Sequence, residues 1–113
     1  MDLDSITINH DATIMDAIKG LSYAKHRCLL VISVQNKLLG VLSEGDILRS
    51  LYDKKNLQTP LINIINKNFK YLDEKNSSML EAKKLFKKFS VLIIPVLDKK
   101  GRLKSLYHIN DIL

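Results

Sequence analysis

The feature that most constrains this chain of 113 residues is an internal repeat. Asp46-Ile47-Leu48 reappears 65 positions later as Asp111-Ile112-Leu113, and residues 5–48 can be shifted by that distance without a gap. A repeated pattern of apolar and capping residues indicates that the chain forms the same elements and buries the same apolar positions twice. The shift also aligns further apolar residues: Ala17 with Ala82, Val31 with Val96, and Leu38 with Leu103.

Each copy is predicted to contain a strand, a helix, two strands and a final helix. In the first copy residues 6–8 alternate as a short strand does. Thr13, with Asp16 three residues later, then predicts a capped helix start. The apolar face of that helix holds Ile14, Ala17, Ile18 and Leu21. The second copy repeats these features as a strand at Tyr71-Leu72, a cap at Ser78 with Glu81, and a face of Met79, Ala82, Leu85, Phe86 and Phe89.

Two more strands and a last helix complete each copy. Strands are predicted at 28–34 and 38–42, and again at 91–97 and 103–107, with Gly101 available for a positive φ in the second turn. The nearly continuous apolar character of residues 29–32 and 92–96 predicts strands that are covered on both faces. We expect Asp46 and Asp111 to open the last helices, of which the second stops at Leu113.

The pattern predicts an α/β fold of two β-α-β-β-α repeats. One repeat of about fifty residues is too small to cover both faces of its own sheet, so we expect the copies to pack with pseudo-two-fold symmetry as a single module, residues 1–113. Repeat 1 is placed at 5–52, a linker at 53–68 and repeat 2 at 69–113. In the linker, the spacing of Leu61, Ile64 and Ile65 predicts one short helical turn.

Three segments resemble the CBS-domain family. Residues 40–46 resemble its signature of Gly, two aliphatic residues, Ser or Thr, any two residues and Asp. Residues 94–102 are similar to the strand and turn that precede the signature, and residues 60–68 to the segment that enters a second repeat. The resemblance spans residues 5–113 and implies a tandem CBS pair, or Bateman module, which is a regulatory unit and not an enzyme.

A closer resemblance involves residues 43–49 together with residues 64–68. These are similar to the N-terminal CBS pair of bacterial sugar-phosphate nucleotidyltransferases, in which a catalytic domain follows the second repeat. The glycine-rich catalytic loop of such transferases is absent from residues 1–113. The resemblance therefore implies a regulatory module attached to a catalytic domain, with no catalytic residues in this chain.

The resemblance implies that an adenine nucleotide (AMP, ADP or ATP) binds in a cleft at the first signature. Asp46 would accept hydrogen bonds from the ribose hydroxyls, and Ser43 would donate one to a phosphate. Gly45 would let the backbone approach at a helix N-terminus, where the dipole favours anions. The alternative for Ser43 and Asp46 is an ordinary helix cap. The wall around the adenine would consist of Ile62, Ile64, Ile93, Ile94 and Pro95.

A weaker second cleft is implied around Asp111. His108 stands there in place of the expected Ser or Thr, and Ser105 in place of the Gly. His108 either binds a phosphate or is a surface or capping histidine. The segment entering this cleft would be residues 1–5, with Thr7, Cys28, Leu29 and Leu30 nearby. The sequence therefore predicts one competent site and one degenerate site.

Charge, apolar runs and cysteine content bear on the other kinds of partner. The net charge of +6 and the lysines of the capped helix in the second copy suit a solvated surface, so we expect no nucleic-acid partner. The longest apolar runs are too short to span a bilayer, and the N-terminus is acidic, so we expect a cytoplasmic module with no membrane partner. The single cysteine, Cys28, fits a core position, and we expect no metal. The four lysines concerned are Lys83, Lys84, Lys87 and Lys88.

The main alternative function is a ligand-free structural module that forms a homodimer. CBS pairs commonly associate through their helices, so a homodimer is also implied for the nucleotide-binding module. The apolar helix faces expected to serve are those that carry Ile18, Leu21, Phe86 and Phe89.

Overall fold

Two three-stranded sheets with their own helices form the fold, which a computed structural model describes for residues 3–23 and 27–112. The chain divides into two compact units. Unit 1 comprises Met1–Gln35 and Leu39–Phe69, and unit 2 comprises Asn36–Leu38 and Lys70–Leu113. Met1 and Asp2 of the predicted segment 1–5, and Leu113 of the predicted last helix, lie outside the described residues.

Unit 1 contains the first sheet, in the order β1-β2-β3. Strand β1 pairs parallel with β2, with Thr7 opposite Leu30. Parallel neighbours need a crossover connection, and helix α1 supplies it. The strands are Thr7–Asn9 (β1), Cys28–Ile32 (β2) and Leu38–Ser43 (β3); the helices are Ile14–Tyr23 (α1) and Glu44–Tyr52 (α2), with 3-10 turns at Leu3–Ser5 and Leu61–Asn63.

The core of unit 1 forms where α1, the sheet and the linker turn meet. The predicted apolar face of α1 is confirmed, since Ile14 and Ala17 are fully buried and Ile18 and Leu21 pack against them. The linker contributes Leu61, which is also fully buried. The remaining core residues are Leu29, Val31, Leu42 and Ile47.

Unit 2 repeats this arrangement in the order β4-β5-β6. Strand β4 pairs parallel with β5, and β5 pairs antiparallel with β6. The elements are Leu72–Asp73 (β4), Met79–Lys88 (α3), Ile93–Leu97 (β5) and Leu103–His108 (β6), with 3-10 turns at Glu74–Asn76 and Ile109–Asp111. The core consists of Leu72, Ala82, Ile94 and Val96. The α/β fold class and the recurrence of the same elements are thus confirmed.

Capping residues set the starts of the helices as the sequence predicts. The Thr13 N–H donates to Asp16 Oδ2 at 2.9 Å, and the Asp16 N–H donates to Thr13 Oγ1 at 3.3 Å. In unit 2 the Glu81 N–H donates to Ser78 Oγ at 3.2 Å. Each bond satisfies a backbone donor that the first helical turn leaves without a partner.

Several strand and helix limits differ from the prediction. Strand β1 begins at Thr7 because the Ile6 N–H donates to Leu3 O and closes a turn. Strand β2 ends at Ile32, and Val34 is exposed. The other shifted limits are β4 at Leu72–Asp73, β5 starting at Ile93 after an exposed Leu92, β3 extending to Ser43 and β6 extending to His108.

Two helix predictions were wrong in detail. Helix α2 begins at Glu44 and not at Asp46, because Ser43 is its cap and Asp46 the third residue of its first turn. The residues around Asp111 form a 3-10 turn, Ile109–Asp111. In α3 the predicted face is incomplete: Met79 is exposed, and Phe89 follows the helix as its C-cap.

The loop between β5 and β6 is organised around one buried carboxylate. Asp98 Oδ1 accepts hydrogen bonds from the N–H groups of Lys100 and Arg102, both at 2.9 Å, and Oδ2 accepts from Arg102 Nε at 2.7 Å. Gly101 has a φ of +80°, as the prediction required. The loop also pairs with the short segment Asn36–Leu38 of unit 2, where the Leu38 N–H donates to Gly101 O at 3.0 Å.

We predict that this carboxylate makes unit 2 sensitive to acid. The bond from the Arg102 backbone, with the other donors, lowers the pKa of Asp98 from 3.8 to about 2. A lowered folded-state pKa contributes stability that is complete above the unfolded pKa and is lost as the pH falls towards about 2. Urea unfolding of the wild type between pH 6 and pH 2 should therefore show this loss, and Asp98→Asn should reduce it.

The control for this experiment is Asp53→Asn, at the exposed end of α2. It should leave the acid dependence of the wild type largely intact. Equal pH dependence in the wild type and Asp98→Asn would show that the loop carboxylate does not contribute.

Candidate functional site

The candidate site begins at the joint between β3 and α2 in unit 1. Ser43 is the N-cap of α2, with extended backbone at φ −101° and ψ 166°. The Asp46 N–H donates to Ser43 Oγ at 3.1 Å, and the Ser43 N–H donates to Asp46 Oδ2 at 2.8 Å. These reciprocal bonds form a capping box. The structure thus brings Ser43 and Asp46 together, and both fulfil the capping alternative.

Ser43 and Asp46 can form further hydrogen bonds besides those of the cap. A carboxylate has about four acceptor positions, and a hydroxyl that accepts one bond still has its proton to donate. The Asp46 side chain keeps 21% of its surface exposed. Ser43 and Asp46 therefore retain the ability to bind a further polar group at the N-terminus of α2.

Arg49 belongs to the same cluster, although sequence reasoning missed it. Its Nη2 donates to Asp46 Oδ1 in an ion pair, and its side chain is 70% exposed. The guanidinium also lies over Gly45, where an added Cβ would come within 3.3 Å of Arg49 Nη1. Opposite charges three residues apart on a helix are the sequence signal for this contact.

The linker is attached to the same strand by a pair of backbone hydrogen bonds. The Val41 N–H donates to Asn66 O, and the Asn66 N–H donates to Val41 O, both at 3.0 Å. The linker passes so close that a Cβ on Gly40 would lie 2.9 Å from Asn66 O and 2.7 Å from Ile65 Cδ1. This close approach accounts for the glycine at the start of the signature.

The aliphatic residues expected around the adenine fall in both units. Ile64 packs against the core of unit 1, and Ile62 in the preceding turn is partly exposed. In unit 2, Ile93, Ile94 and Pro95 are all buried residues of β5. Because side chains alternate along a strand, Ile93 and Pro95 lie on the face opposite Ile94, which belongs to the core of unit 2.

The residues of the weaker site have structural roles. His108 is buried and caps the 3-10 turn, with its Nδ1 accepting from the Asn110 N–H at 3.1 Å. The capping alternative is therefore confirmed, whereas a surface position was wrong. This bond assigns Nδ1 as the unprotonated ring nitrogen and occupies it. Asp111 is exposed at the end of the turn.

The first-unit residues assigned to the weaker site belong to the sheet. Thr7 pairs with Leu30 between β1 and β2, and Cys28, Leu29 and Leu30 are buried. Burial raises the pKa of the Cys28 thiol to about 11, which fits a core residue and not a reactive thiolate.

The four lysines of α3 are exposed, and Lys84 forms an ion pair with Glu81 at 3.2 Å. In residues 3–23 and 27–112, no group of three or more His, Cys, Asp or Glu side chains is placed to hold a metal ion. Across this same described part of the chain, no helix is long and apolar enough to cross a membrane.

Residues 1–53 match the family model described as "CBS domain". This segment is therefore similar to the CBS-domain family. The match covers the segment in which the structure joins Ser43, Gly45 and Asp46 to the start of α2. It therefore agrees with the resemblance carried by residues 40–46.

Two curated relatives extend the similarity over most of the chain. Inosine-5'-monophosphate dehydrogenase of Aquifex aeolicus is 23% identical over 113 residues, which is 100% of this chain and 23% of that protein. Arabinose 5-phosphate isomerase GutQ of Escherichia coli is 28% identical over 100 residues, or 88% of this chain and 31% of that protein. The chain thus spans about a quarter to a third of the length of these relatives.

Solved structures share the fold over most of the chain. The cystathionine beta-synthase pair domain from Shewanella oneidensis has a TM-score of 0.82 at 20% identity, covering 98% of this chain and 63% of that one. The cytosolic domain of the Mg2+ channel MgtE in complex with ATP has a TM-score of 0.77 at 20% identity, covering 95% and 43%. CBSX2 in complex with AMP has a TM-score of 0.79 at 19% identity, covering 94% and 82%.

We predict that Gly40→Ala loosens the linker from β3. The new methyl group would meet backbone at Asn66, so the segment must move, at a cost of about 1–3 kcal/mol in the free energy of unfolding. Denaturant unfolding measures this loss. Gly20→Ala in α1 is the control, because its nearest atom is a flexible Leu29 methyl group at 3.3 Å. A loss at Gly40 no larger than at Gly20 would contradict the close approach.

Proposed function

We propose that this chain is a regulatory CBS-pair module, residues 1–113, that binds one adenine nucleotide. The observation that carries the proposal is the joint at the end of β3. There Ser43 caps α2, and Gly45 and Asp46 form part of its first turn, within the residues that match the CBS-domain model. Support comes from the neighbours of the same fold that are in complex with ATP and with AMP.

In the proposed complex, each residue of the joint has one task. Asp46 accepts from the ribose hydroxyls with the acceptor positions that the cap leaves over. The Ser43 hydroxyl donates to the first phosphate, and the missing side chain of Gly45 lets that phosphate approach the backbone of the first turn of α2. Ile62 and Ile64 contribute apolar surface of unit 1 for the adenine.

The repeat is proposed to supply one competent site and not two. In unit 2 His108 already uses Nδ1 to cap a short turn, and the neighbouring carboxylate of Asp111 is exposed. A 3-10 turn of three residues aligns fewer peptide dipoles than the nine-residue α2 and so attracts an anion less strongly. We therefore assign the nucleotide to the cluster around Asp46.

Binding would regulate a catalytic domain attached to the module, in the cytoplasm. A nucleotide shifts such a protein between arrangements only by as much as its affinity differs between them. The curated relatives described above are a dehydrogenase and a sugar-phosphate isomerase. They do not support the nucleotidyltransferase that the closer resemblance implies, so we propose an attached catalytic domain without assigning its reaction.

We predict that AMP, ADP or ATP raises the melting temperature of the wild type, because a ligand that binds only the folded state stabilises it. Asp46→Ala should abolish this shift. The variant also loses a helix cap, which costs about 1 kcal/mol. Calorimetric titration at a temperature where the variant is folded therefore accompanies the melting measurement.

Asp16→Ala is the matched control, since Asp16 has the same capping role at the start of α1. It should lower the melting temperature of the free protein and keep the nucleotide-induced shift. If millimolar nucleotide leaves the melting of the wild type unchanged, or if both variants lose the shift equally, the proposed site is wrong.

A structural homodimerisation module is the second candidate function. A groove of about 360 Å³ lies between α1 and α2, lined by the expected residues Ile18 and Leu21 and by Leu48 and Leu51. Leu48 and Tyr52 on α2 are 67% and 86% exposed. Exposed apolar residues beside a groove are typical of protein–protein contacts. In unit 2 Phe86 and Phe89 line a comparable groove.

We predict that Leu48→Asp shifts the chain from dimer towards monomer, because a charge would enter an apolar contact. Light scattering on a size-exclusion column measures the change at matched concentrations, with and without AMP. Val34→Asp, at a more exposed apolar residue outside the groove, is the control. A wild type that is monomeric under all conditions would exclude the dimer. A full dimer indifferent to nucleotide would favour the structural function.

A further inference from the structure

Arg49 occupies the position where the two ends of a nucleotide would meet the protein. Its guanidinium donates to Asp46 Oδ1 and lies over Gly45 at the first turn of α2. The proposed ribose contact is this carboxylate, and the proposed phosphate contact is this turn. One side chain therefore covers both.

A ribose and Arg49 compete for the same carboxylate oxygen. Asp46 Oδ2 is committed to the Ser43 N–H at 2.8 Å, so Oδ1 is the better acceptor for a ribose hydroxyl. Binding a nucleoside would displace the guanidinium and break an exposed ion pair, which costs up to about 1 kcal/mol. For an unphosphorylated ligand, nothing replaces that pair.

A phosphate changes this balance. The Arg49 side chain is 70% exposed and is anchored on the same helix, so it can leave Asp46 without disturbing the core. A guanidinium binds phosphate oxygens through charge-assisted bonds that are stronger than neutral ones. The displaced arginine would then hold the phosphate at the first turn of α2, where the helix dipole also favours an anion.

We infer that Arg49 is a specificity-determining residue that exchanges Asp46 for the ligand phosphate, and so makes the site select nucleotides over nucleosides. The inference rests on the proposed nucleotide site and names the ligand group that the site distinguishes. It predicts effects of opposite sign on two ligands that differ only in the phosphate.

The experiment compares adenosine with AMP by calorimetric titration. Arg49→Gln should weaken AMP binding about tenfold, since a charge-assisted contact is lost. The same variant should bind adenosine equally well or up to about threefold more tightly, because Asp46 is released. Arg49→Lys keeps the positive charge and should recover part of the affinity for AMP.

Two controls separate this effect from a structural one. Lys55→Gln removes an exposed positive charge of unit 1 beyond the C-terminal end of α2 and should alter neither ligand's affinity by more than about twofold. Melting of the ligand-free variants checks that Arg49→Gln leaves the fold intact.

The outcomes are distinguishable. If Arg49→Gln weakens adenosine and AMP by the same factor, or leaves AMP unchanged, the exchange is overturned while the nucleotide site stands. If the wild type binds neither ligand, the nucleotide site itself is wrong, and the role of Arg49 is overturned with it. Opposite or unequal effects that lower the preference for AMP about tenfold support the exchange.

Discussion

The reciprocal hydrogen bonds between Ser43 and Asp46 determine where β3 ends and α2 begins, and the proposed site depends on that joint. They fix the Asp46 carboxylate relative to the backbone at the start of the helix. They also leave Asp46 Oδ1 to an exposed side chain, Arg49, and not to the backbone. A structural cap and a binding site can therefore share the same two side chains without conflict.

The two repeats use different side chains to cap the turn that follows their last strand. In unit 1 a serine oxygen accepts from the third residue of an α-helix, whereas in unit 2 a histidine nitrogen accepts from the second residue of a 3-10 turn. Both satisfy a backbone donor, so both suffice for folding. Only the first adds a carboxylate in the first turn that is itself part of the cap. Duplicated sequence therefore gives duplicated architecture, but not duplicated binding chemistry.

Most elements were predictable because their signals are local. The pair Thr13 and Asp16 identified a helix start from spacing, and the continuous apolar run of β5 identified a strand covered on both faces. Two strand limits were missed by two residues, because β2 ends before the exposed Val34 and β5 begins after the exposed Leu92. The pairing of Val41 with Asn66 was beyond sequence reasoning, because backbone hydrogen bonds between distant residues leave no periodic pattern.

The pairing of Val41 with Asn66 also affects how readily the chain can aggregate. Strand β3 is the last in its sheet, and a bare sheet edge is a template on which other chains can add strands. Asn66 occupies the backbone groups of Val41 on this edge, and Gly40 lets the linker lie close beside them. The linker therefore keeps other chains from adding a strand at this position of the edge, in addition to joining the two repeats.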